Sequence, residues 1–150
     1  PIEDISFPEE QFDLVLSSLA FHYIADLENV LKRSYHCLKK NGFLIFSQEH
    51  PVATAHKVPN GWFKDEHGQK MHWILDNYNN EGIRKQTWFI DGVIKYHRTT
   101  SSIINTLIET GFKIVRVLEP TATNEVEMLN DDLKDERRRP PFLIIKAQKI

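Results

Sequence analysis

Two short apolar runs flank an amphipathic segment in the first third of the chain. Residues 12–17, Phe-Asp-Leu-Val-Leu-Ser, are almost continuously apolar, as is typical of a parallel strand covered on both faces. Residues 43–47, Phe-Leu-Ile-Phe-Ser, form a second run of this kind. The segment between them has apolar residues at helical spacing, so the pattern predicts a strand, a helix and a strand. Such a unit favours a parallel α/β sheet with a right-handed crossover.

The limits of the predicted helix come from capping signals. Asp26 is a suitable N-cap, Lys39 and Lys40 suit the last turn, and Gly42 follows as a terminator. The predicted apolar stripe consists of Leu27, Val30, Leu31, Tyr35 and Leu38.

A second helix and strand are predicted near the end of the chain. Thr99 or Thr100 can cap the helix, Gly111 ends it, and residues 112–118 follow as a strand. Its apolar stripe consists of Ile103, Ile104, Leu107 and Ile108. A final strand is predicted over residues 142–147.

Residues 51–98 interrupt this alternation and are rich in Trp, Tyr, His and Asn. Within them, residues 87–97, TWFIDGVIKYH, predict a hairpin with a tight turn at Asp91-Gly92. The segment follows the carboxyl end of the second strand, where open α/β sheets bind their ligands. We therefore predict one domain over residues 1–150, with residues 51–98 as an inserted lid that contacts substrate.

Composition narrows the class of protein. The chain has 150 residues, 41% hydrophobic and 27% charged, with a formal net charge of -2, so no nucleic-acid or membrane partner is predicted. Arg137, Arg138 and Arg139 follow several acidic residues and are predicted to be a solvated charged segment. A single cysteine, with no signal peptide and no long apolar run, predicts a cytoplasmic protein. Histidine and cysteine spacings match no metal-ligand pattern, so no metal site is predicted.

Several motifs occur together in a known order. They are the lead-in IEDISFP, the strand FDLVLSS, the segment LAFHYI, and LKKNGFLIFS, all within residues 2–51. In this order they resemble the second half of a class I S-adenosylmethionine-dependent methyltransferase, of the small-molecule type similar to ubiquinone-biosynthesis enzymes. The segments YHRTTSSIINTLIETGFKIVRVLEP and RRPPFLIIKAQK also resemble the closing helix and last two strands of that family.

The resemblance implies a partial doubly wound Rossmann-like sheet. It would hold strands four to seven, mixed parallel with an antiparallel last strand, plus the loop and hairpin insertion. The six glycines, at positions 42, 61, 68, 82, 92 and 111, form no Gly-rich cofactor loop. The expectation is therefore a fragment, the C-terminal part of an enzyme, that binds S-adenosylmethionine poorly alone. The exposed edge of strand 12–17 is expected to cause self-association.

By the same resemblance, two segments contact the cofactor. Ser17, Ser18 and Leu19 would meet its methionyl end, and Glu3 and Asp4 would lie beside the adenine. The family more often has an Asp two positions before Glu3, which this sequence lacks. Alternatively, the serines only end the strand and the acids are solvated turn residues.

His22 and His50 are the candidate catalytic residues, as bases or as groups that orient the substrate. Methyl transfer is an in-line displacement that mainly requires alignment and exclusion of water. A base is needed only if the acceptor loses a proton, and imidazole titrates near neutral pH. The alternative is that both histidines are structural. Pro51 should hold His50 in an extended conformation.

The candidate substrate-binding residues are Tyr23, Trp62, Trp73, His97 and Arg98. Arg98 could anchor a substrate carboxylate or phosphate, or it could form a structural ion pair. The aromatic residues of the insertion could line an acceptor pocket or pack a small lid core.

Two broad functions remain open from the sequence. The first is transfer of a methyl group from S-adenosylmethionine to a small-molecule acceptor by the full-length protein. The second is a non-catalytic interaction protein that keeps a degenerate methyltransferase sheet. Half of a nicotinamide-dependent dehydrogenase would also use a doubly wound sheet, but the segment SSLAFHYI and the closing strands argue against it.

Overall fold

A mixed four-stranded sheet and two hairpins make up the β-structure of the described residues. The computed structural model describes residues 2–4, 6–57, 61–86 and 92–150, without the side chains of residues 131 and 132. The strands are β1 (Phe12–Ser18), β2 (Leu38–Glu49), β3 (Trp62–Lys64), β4 (Lys70–Trp73), β5 (Gly82–Gln86), β6 (Val93–His97), β7 (Phe112–Leu118) and β8 (Phe142–Lys149).

In the described ranges, four α-helices and three short 3-10 helices accompany these strands. The α-helices are α1 (Leu27–Cys37), α2 (Pro51–Thr54), α3 (Thr100–Thr110) and α4 (Asn124–Leu129). The 3-10 helices are Ile2–Asp4, Phe21–Tyr23 and Asp131–Arg137. None of the helices in the described ranges has the length and apolar character needed to cross a lipid bilayer.

The four-stranded sheet has the order β1-β2-β8-β7. β1 and β2 are parallel, with Val15 opposite Leu44 and Leu16 opposite Ile45. β8 runs antiparallel to both β2 and β7. The predicted mixed α/β sheet with parallel first strands and an antiparallel last strand is confirmed.

One face of the sheet carries the hydrophobic core. Helices α1 and α3 contact each other and pack on this face, where Leu44, Phe46 and Ile145 are fully buried. On the other face, the side chains of Leu14 and Leu16 are 49% and 69% exposed. The prediction that β1 is covered on both faces is therefore wrong within the described ranges, because α1 and α3 both pack on the core face.

The start of α1 is confirmed, but its predicted end is wrong. Asp26 caps the helix and accepts a hydrogen bond from the Asn29 N–H at 3.0 Å. The helix ends at Cys37, because Leu38 already pairs with β1 as the first residue of β2. Gly42 is not the terminator. It lies within β2, where a Cβ would come 2.9 Å from the carbonyl oxygen of Lys39.

The second predicted helix and strand are confirmed with their caps. The Thr99 hydroxyl accepts a hydrogen bond from the Ser102 N–H at 3.1 Å, which makes Thr99 the N-cap of α3. Gly111 follows the helix with φ of 105°, a left-handed conformation that glycine adopts without a steric penalty. β7 then covers the predicted residues 112–118.

The insertion contains α2 and two hairpins. β5 and β6 form a hairpin, but only β6 falls within the predicted residues 87–97, and Gln86 lies opposite Val93 and Gly82 opposite His97. This register differs from the one that a two-residue turn at Asp91-Gly92 would give. Residues 87–91 lie outside the described residues. The sequence pattern also did not predict the hairpin of β3 and β4, whose strands have only 3 and 4 residues.

Arg84 holds this insertion together from a buried position. Its guanidinium donates to the backbone carbonyls of Ala55, Asn77 and Asn80, at 3.0, 3.4 and 2.5 Å. These carbonyls belong to the end of α2 and to the loop before β5. Burial lowers the pKa of Arg84 because its charge is removed from water.

Replacement of Arg84 by Met should lower the free energy of unfolding by roughly 2 to 4 kcal/mol, because buried carbonyls lose their charged donor. Arg84→Lys should recover only part of this loss, since one ammonium cannot reproduce the planar fork. Urea denaturation measures the effect. Arg116→Met, at an exposed position of β7, is the control, and equal midpoints for the two Met variants would contradict the prediction.

Candidate functional site

The carboxyl ends of β1 and β2 lie at the same edge of the sheet because the two strands are parallel. The chain leaves β1 through Leu19, which has φ of 51°, into the 3-10 helix Phe21–Tyr23. It leaves β2 at His50 and enters α2. The Leu19 N–H donates to the Ser47 carbonyl at 2.9 Å and joins the two exits.

A cavity of about 360 Å³ lies beside β1 and α1. Ser17 of β1 and Ile2, the residue before Glu3, both line it, whereas the predicted cofactor residues Glu3 and Asp4 are not among its lining residues. The Ser17 hydroxyl is buried and has no hydrogen-bond partner among the described residues. Ser18 and Leu19, by contrast, are exposed at the edge of the sheet.

His22 is buried at this edge against the end of β2. Its Nδ1 atom accepts a hydrogen bond from the Glu49 N–H at 3.3 Å, so the ring proton belongs on Nε2. That Nε2 atom lies 3.8 Å from the Glu49 carboxylate. The same carboxylate accepts a hydrogen bond from Lys95 of β6 at 2.6 Å. Glu49 thus links the exit of β1 with the inserted hairpin.

Burial is the main reason why the pKa of His22 falls from 6.5 to about 4. The negative charge of Glu49 raises this pKa and the positive charge of Lys95 lowers it. His22 is therefore neutral at physiological pH, and it is a weak base.

Tyr23 lies next to His22 and is 36% exposed, so it reaches the surface of the site. The two ring centroids are 4.1 Å apart, and the Lys95 ammonium lies 5.9 Å from the Tyr23 ring. Burial and the charge of Glu49 both raise the pKa of Tyr23. The phenol therefore stays protonated and can donate a hydrogen bond.

His50 uses both ring nitrogens within the protein. Nδ1 accepts from the Val52 N–H at 3.1 Å and caps α2, which leaves the proton on Nε2. Nε2 then donates to Glu119 at 2.9 Å. Burial lowers the pKa of His50 despite the nearby carboxylate. As predicted, His50 before Pro51 has an extended backbone, with ψ of 141°.

His97 and Arg98 both bond to the protein itself. His97 is fully buried, and its ring nitrogens lie 2.8 Å from the Thr54 hydroxyl and 2.8 Å from the Tyr78 carbonyl. One guanidinium nitrogen of Arg98 donates to the carbonyls of Ile24 and Ala25, each at 2.7 Å. Arg98 thereby fixes the segment that joins the 3-10 helix Phe21–Tyr23 to α1.

Trp62 and Trp73 pack together in the hairpin of β3 and β4. Their ring centroids are 5.3 Å apart, and the Trp73 Nε1–H donates to the Val52 carbonyl at 3.4 Å. Arg138 lies over the Trp62 ring and Arg139 over the Trp73 ring, 4.5 and 4.4 Å from the ring centroids. The two tryptophans form a small cluster beside α2.

Sequence reasoning missed Glu49 and Lys95 as members of the site. Lys95 and His97 are two residues apart and both lie on the buried face of β6. A lysine at an inward-facing position of a strand was therefore the sequence signal that could have identified Lys95. Glu49 is the last residue of β2, and only the pairing of β1 with β2 brings it to His22.

Comparison with known proteins gives several matches. Residues 1–46 match the family described as Methyltransferase domain. A protein from Haemophilus influenzae, itself uncharacterised, is 42% identical over all of this chain, which spans 59% of that protein.

Two crystal structures share both the fold and the sequence. One, from Listeria monocytogenes, is assigned as an S-adenosylmethionine-dependent methyltransferase. It has a TM-score of 0.89 and 43% identity over 99% of this chain and 66% of its own. The other is the S-adenosylmethionine-dependent methyltransferase from Mesorhizobium loti, with a TM-score of 0.91 and 36% identity over 99% of this chain and 67% of its own.

This chain therefore spans about two thirds of the length of these structures. The identities of 43% and 36% accompany TM-scores near 0.9, so sequence and fold agree. The chain belongs to the class I S-adenosylmethionine-dependent methyltransferase family, and S-adenosylmethionine is the cofactor of that family.

Proposed function

We propose that the protein containing this chain transfers the methyl group of S-adenosylmethionine to a small-molecule acceptor. The observation that carries this proposal is the parallel pairing of β1 and β2, whose carboxyl ends lead into His22, Tyr23 and Glu49 at one edge. In doubly wound sheets, this is the edge where ligands bind. The aromatic side chains of the insertion nearby suit a small organic acceptor.

In this proposal, the chain supplies the C-terminal part of the enzyme. β1 and β2 are the fourth and fifth strands of the sheet, β7 is the sixth and β8 the seventh. The position of antiparallel β8 between β2 and β7 supports this numbering. The open outer edge of β1 is consistent with a first strand supplied by another part of the protein.

The cofactor-binding residues in this proposal are Ser17, Ser18, Leu19, Glu3 and Asp4. The buried Ser17 hydroxyl, which has no partner among the described residues, offers a hydrogen bond to a polar ligand. When bound, S-adenosylmethionine supplies a methyl group activated by positively charged sulfur. The chain then has to align the acceptor and exclude water.

His22 and Tyr23 would orient the acceptor. A pKa of about 4 makes His22 unsuited to removing a proton at neutral pH, so orientation is the role that its environment favours. An acid-base role for His50 would require its Nε2 atom to break the hydrogen bond to Glu119 and to bond to the acceptor instead. Contacts of Trp62, Trp73, His97 and Arg98 with the acceptor remain predictions, and the last two would have to give up internal hydrogen bonds.

Calorimetric titration of S-adenosylmethionine tests the cofactor assignment. We expect binding by a form extended at its amino end and little binding by residues 1–150, because one wall of the site is incomplete. A Ser17→Val variant of the extended form should bind roughly tenfold more weakly, since one hydrogen bond is lost. Absence of binding by the extended form would favour the non-catalytic interaction protein, and tight binding by residues 1–150 would contradict the fragment assignment.

The isolated chain should self-associate through the open edge of β1, because unpaired backbone groups lie there beside exposed Leu14 and Leu16. Light scattering over a range of concentrations measures this. Leu16→Lys should reduce the association, whereas Val115→Lys on the other edge strand, β7, should not. A stable monomer at high concentration would refute the prediction.

His22 should titrate near pH 4 in an NMR titration of its imidazole. Lys95→Met should raise this pKa, because the cation that lowers it is removed while Glu49 remains. Lys85→Met removes an exposed cation of β5 and should leave the pKa unchanged. A His22 pKa near 6.5 in the unsubstituted protein would contradict the buried, neutral state.

Acid should also destabilise the fold through the same group. The unfolded chain protonates histidine near pH 6.5, whereas folded His22 resists protonation down to about pH 4. The unfolded state therefore binds more protons in this interval, so the free energy of unfolding should decrease as the pH falls through it.

A further inference from the structure

Three consecutive arginines precede β8, and they differ in what they contact. Arg137 donates to Glu127, to the Ala122 carbonyl and to Asn124. Arg138 donates to Asp135 and to the carbonyls of Lys70 and Met71. Arg139 makes no hydrogen bond or ion pair with any described residue, and its Nε–H is buried without a partner. The predicted solvated segment therefore contains one half-buried guanidinium with unused donors.

Arg139 is held in place by stacking. Its guanidinium carbon lies 4.4 Å from the centroid of the Trp73 ring, and Trp73 is fixed in turn to the Val52 carbonyl. A stacked guanidinium loses little further freedom when it binds a ligand, and its planar fork matches an oxyanion in geometry. The Arg139 guanidinium is thus already oriented before a ligand binds. Its charge is partly removed from water, which is unfavourable in the absence of a ligand.

The topology locates Arg139 at the edge where the acceptor is proposed to bind. β8 is antiparallel to β2, and Phe142 lies opposite Glu49, so the residues just before β8 lie at the carboxyl end of β2. The Pro141 carbonyl accepts from the His50 N–H at 2.9 Å, which ties this segment to the same edge. The charges of Glu136, Asp135 and Glu49 also act on Arg139, although none of these carboxylates forms an ion pair with it.

We propose that Arg139 binds an oxyanion of the acceptor, a carboxylate or a phosphate, beside the Trp73 ring. This inference rests on the proposed methyl transfer and adds an anionic acceptor class to it. Lysine and arginine side chains elsewhere at this edge already have partners: Lys95 bonds to Glu49, and Arg98 to two carbonyls. Arg139 differs from Lys95 and Arg98 because its buried Nε–H has no partner among the described residues.

NMR titration of the amino-terminally extended protein tests the proposal, with the Arg139 Nε–H and the Trp73 indole N–H as probes. Benzoate and inorganic phosphate represent the two oxyanions, and neutral benzamide is the control ligand. We expect saturable shifts of both probes with at least one anion and none with benzamide. The anion that binds more tightly distinguishes a carboxylate from a phosphate acceptor.

Arg139→Met should weaken binding of that anion roughly tenfold or more, as expected for loss of a charge-assisted hydrogen bond. Lys113→Met removes one exposed positive charge at the amino end of β7, which lies at the opposite edge of the sheet, and should leave the affinity unchanged. Equal affinities for Arg139→Met and the unsubstituted protein, or no saturable shift with either anion, would overturn the proposal.

Calorimetry with S-adenosylmethionine separates this inference from the proposed function. If Arg139→Met weakens binding of S-adenosylmethionine instead of the anion, Arg139 belongs to the cofactor site and the inference is wrong, although methyl transfer stands. If the extended protein does not bind S-adenosylmethionine at all, the proposed function fails, while the anion titration still decides whether Arg139 binds an oxyanion.

Discussion

The parallel pairing of β1 with β2 is the constraint on which the site depends. It brings Ser17 and Ser47 to the same edge, and the segments that follow each strand must then share the space beyond it. His22 reaches Glu49 only because of this register. A shift of the register by one residue would turn the inward side chains of β1 to the other face of the sheet.

The Glu49–Lys95 ion pair connects the insertion to this edge, because Glu49 ends β2 and Lys95 lies in β6. The Lys95 side chain is buried, so separation of the pair would cost more free energy than it would at a solvated surface. The hairpin of β5 and β6 therefore has a strong preference for one position relative to the end of β2. Arg84 and His97 add bonds from the same hairpin to α2 and the loop before β5. The position of Tyr23, which lies between the sheet and the hairpin, follows from these contacts.

Local signals allowed most of the sheet and helices to be predicted from the sequence. Helix caps depend on residues that are close in the sequence. The predicted caps Asp26, Thr99 and Gly111 are all confirmed. The end of α1 and the hairpin register were wrong because pairing between distant residues decides them. Leu38 leaves the helix in order to pair with Phe12, which no local pattern reveals.

The same distinction applies to the candidate site. The sequence identified His22 and Tyr23 because they follow β1 directly. Glu49, Lys95 and Arg139 come from three distant segments, and a charged residue in isolation indicates a solvated surface. Their environment could be read only after the antiparallel pairing of β8 and the packing of the insertion were known.

Positive charge at this edge comes from lysine and arginine and does not depend on histidine. Burial lowers the pKa of His22, His50 and His97, so these three side chains are neutral throughout the physiological range. Of the cations at this edge, Lys95 is paired with Glu49, whereas Arg139 forms no ion pair with any described residue. In the proposal of an anionic acceptor, the attraction therefore comes from Arg139 and does not depend on protonation of a histidine.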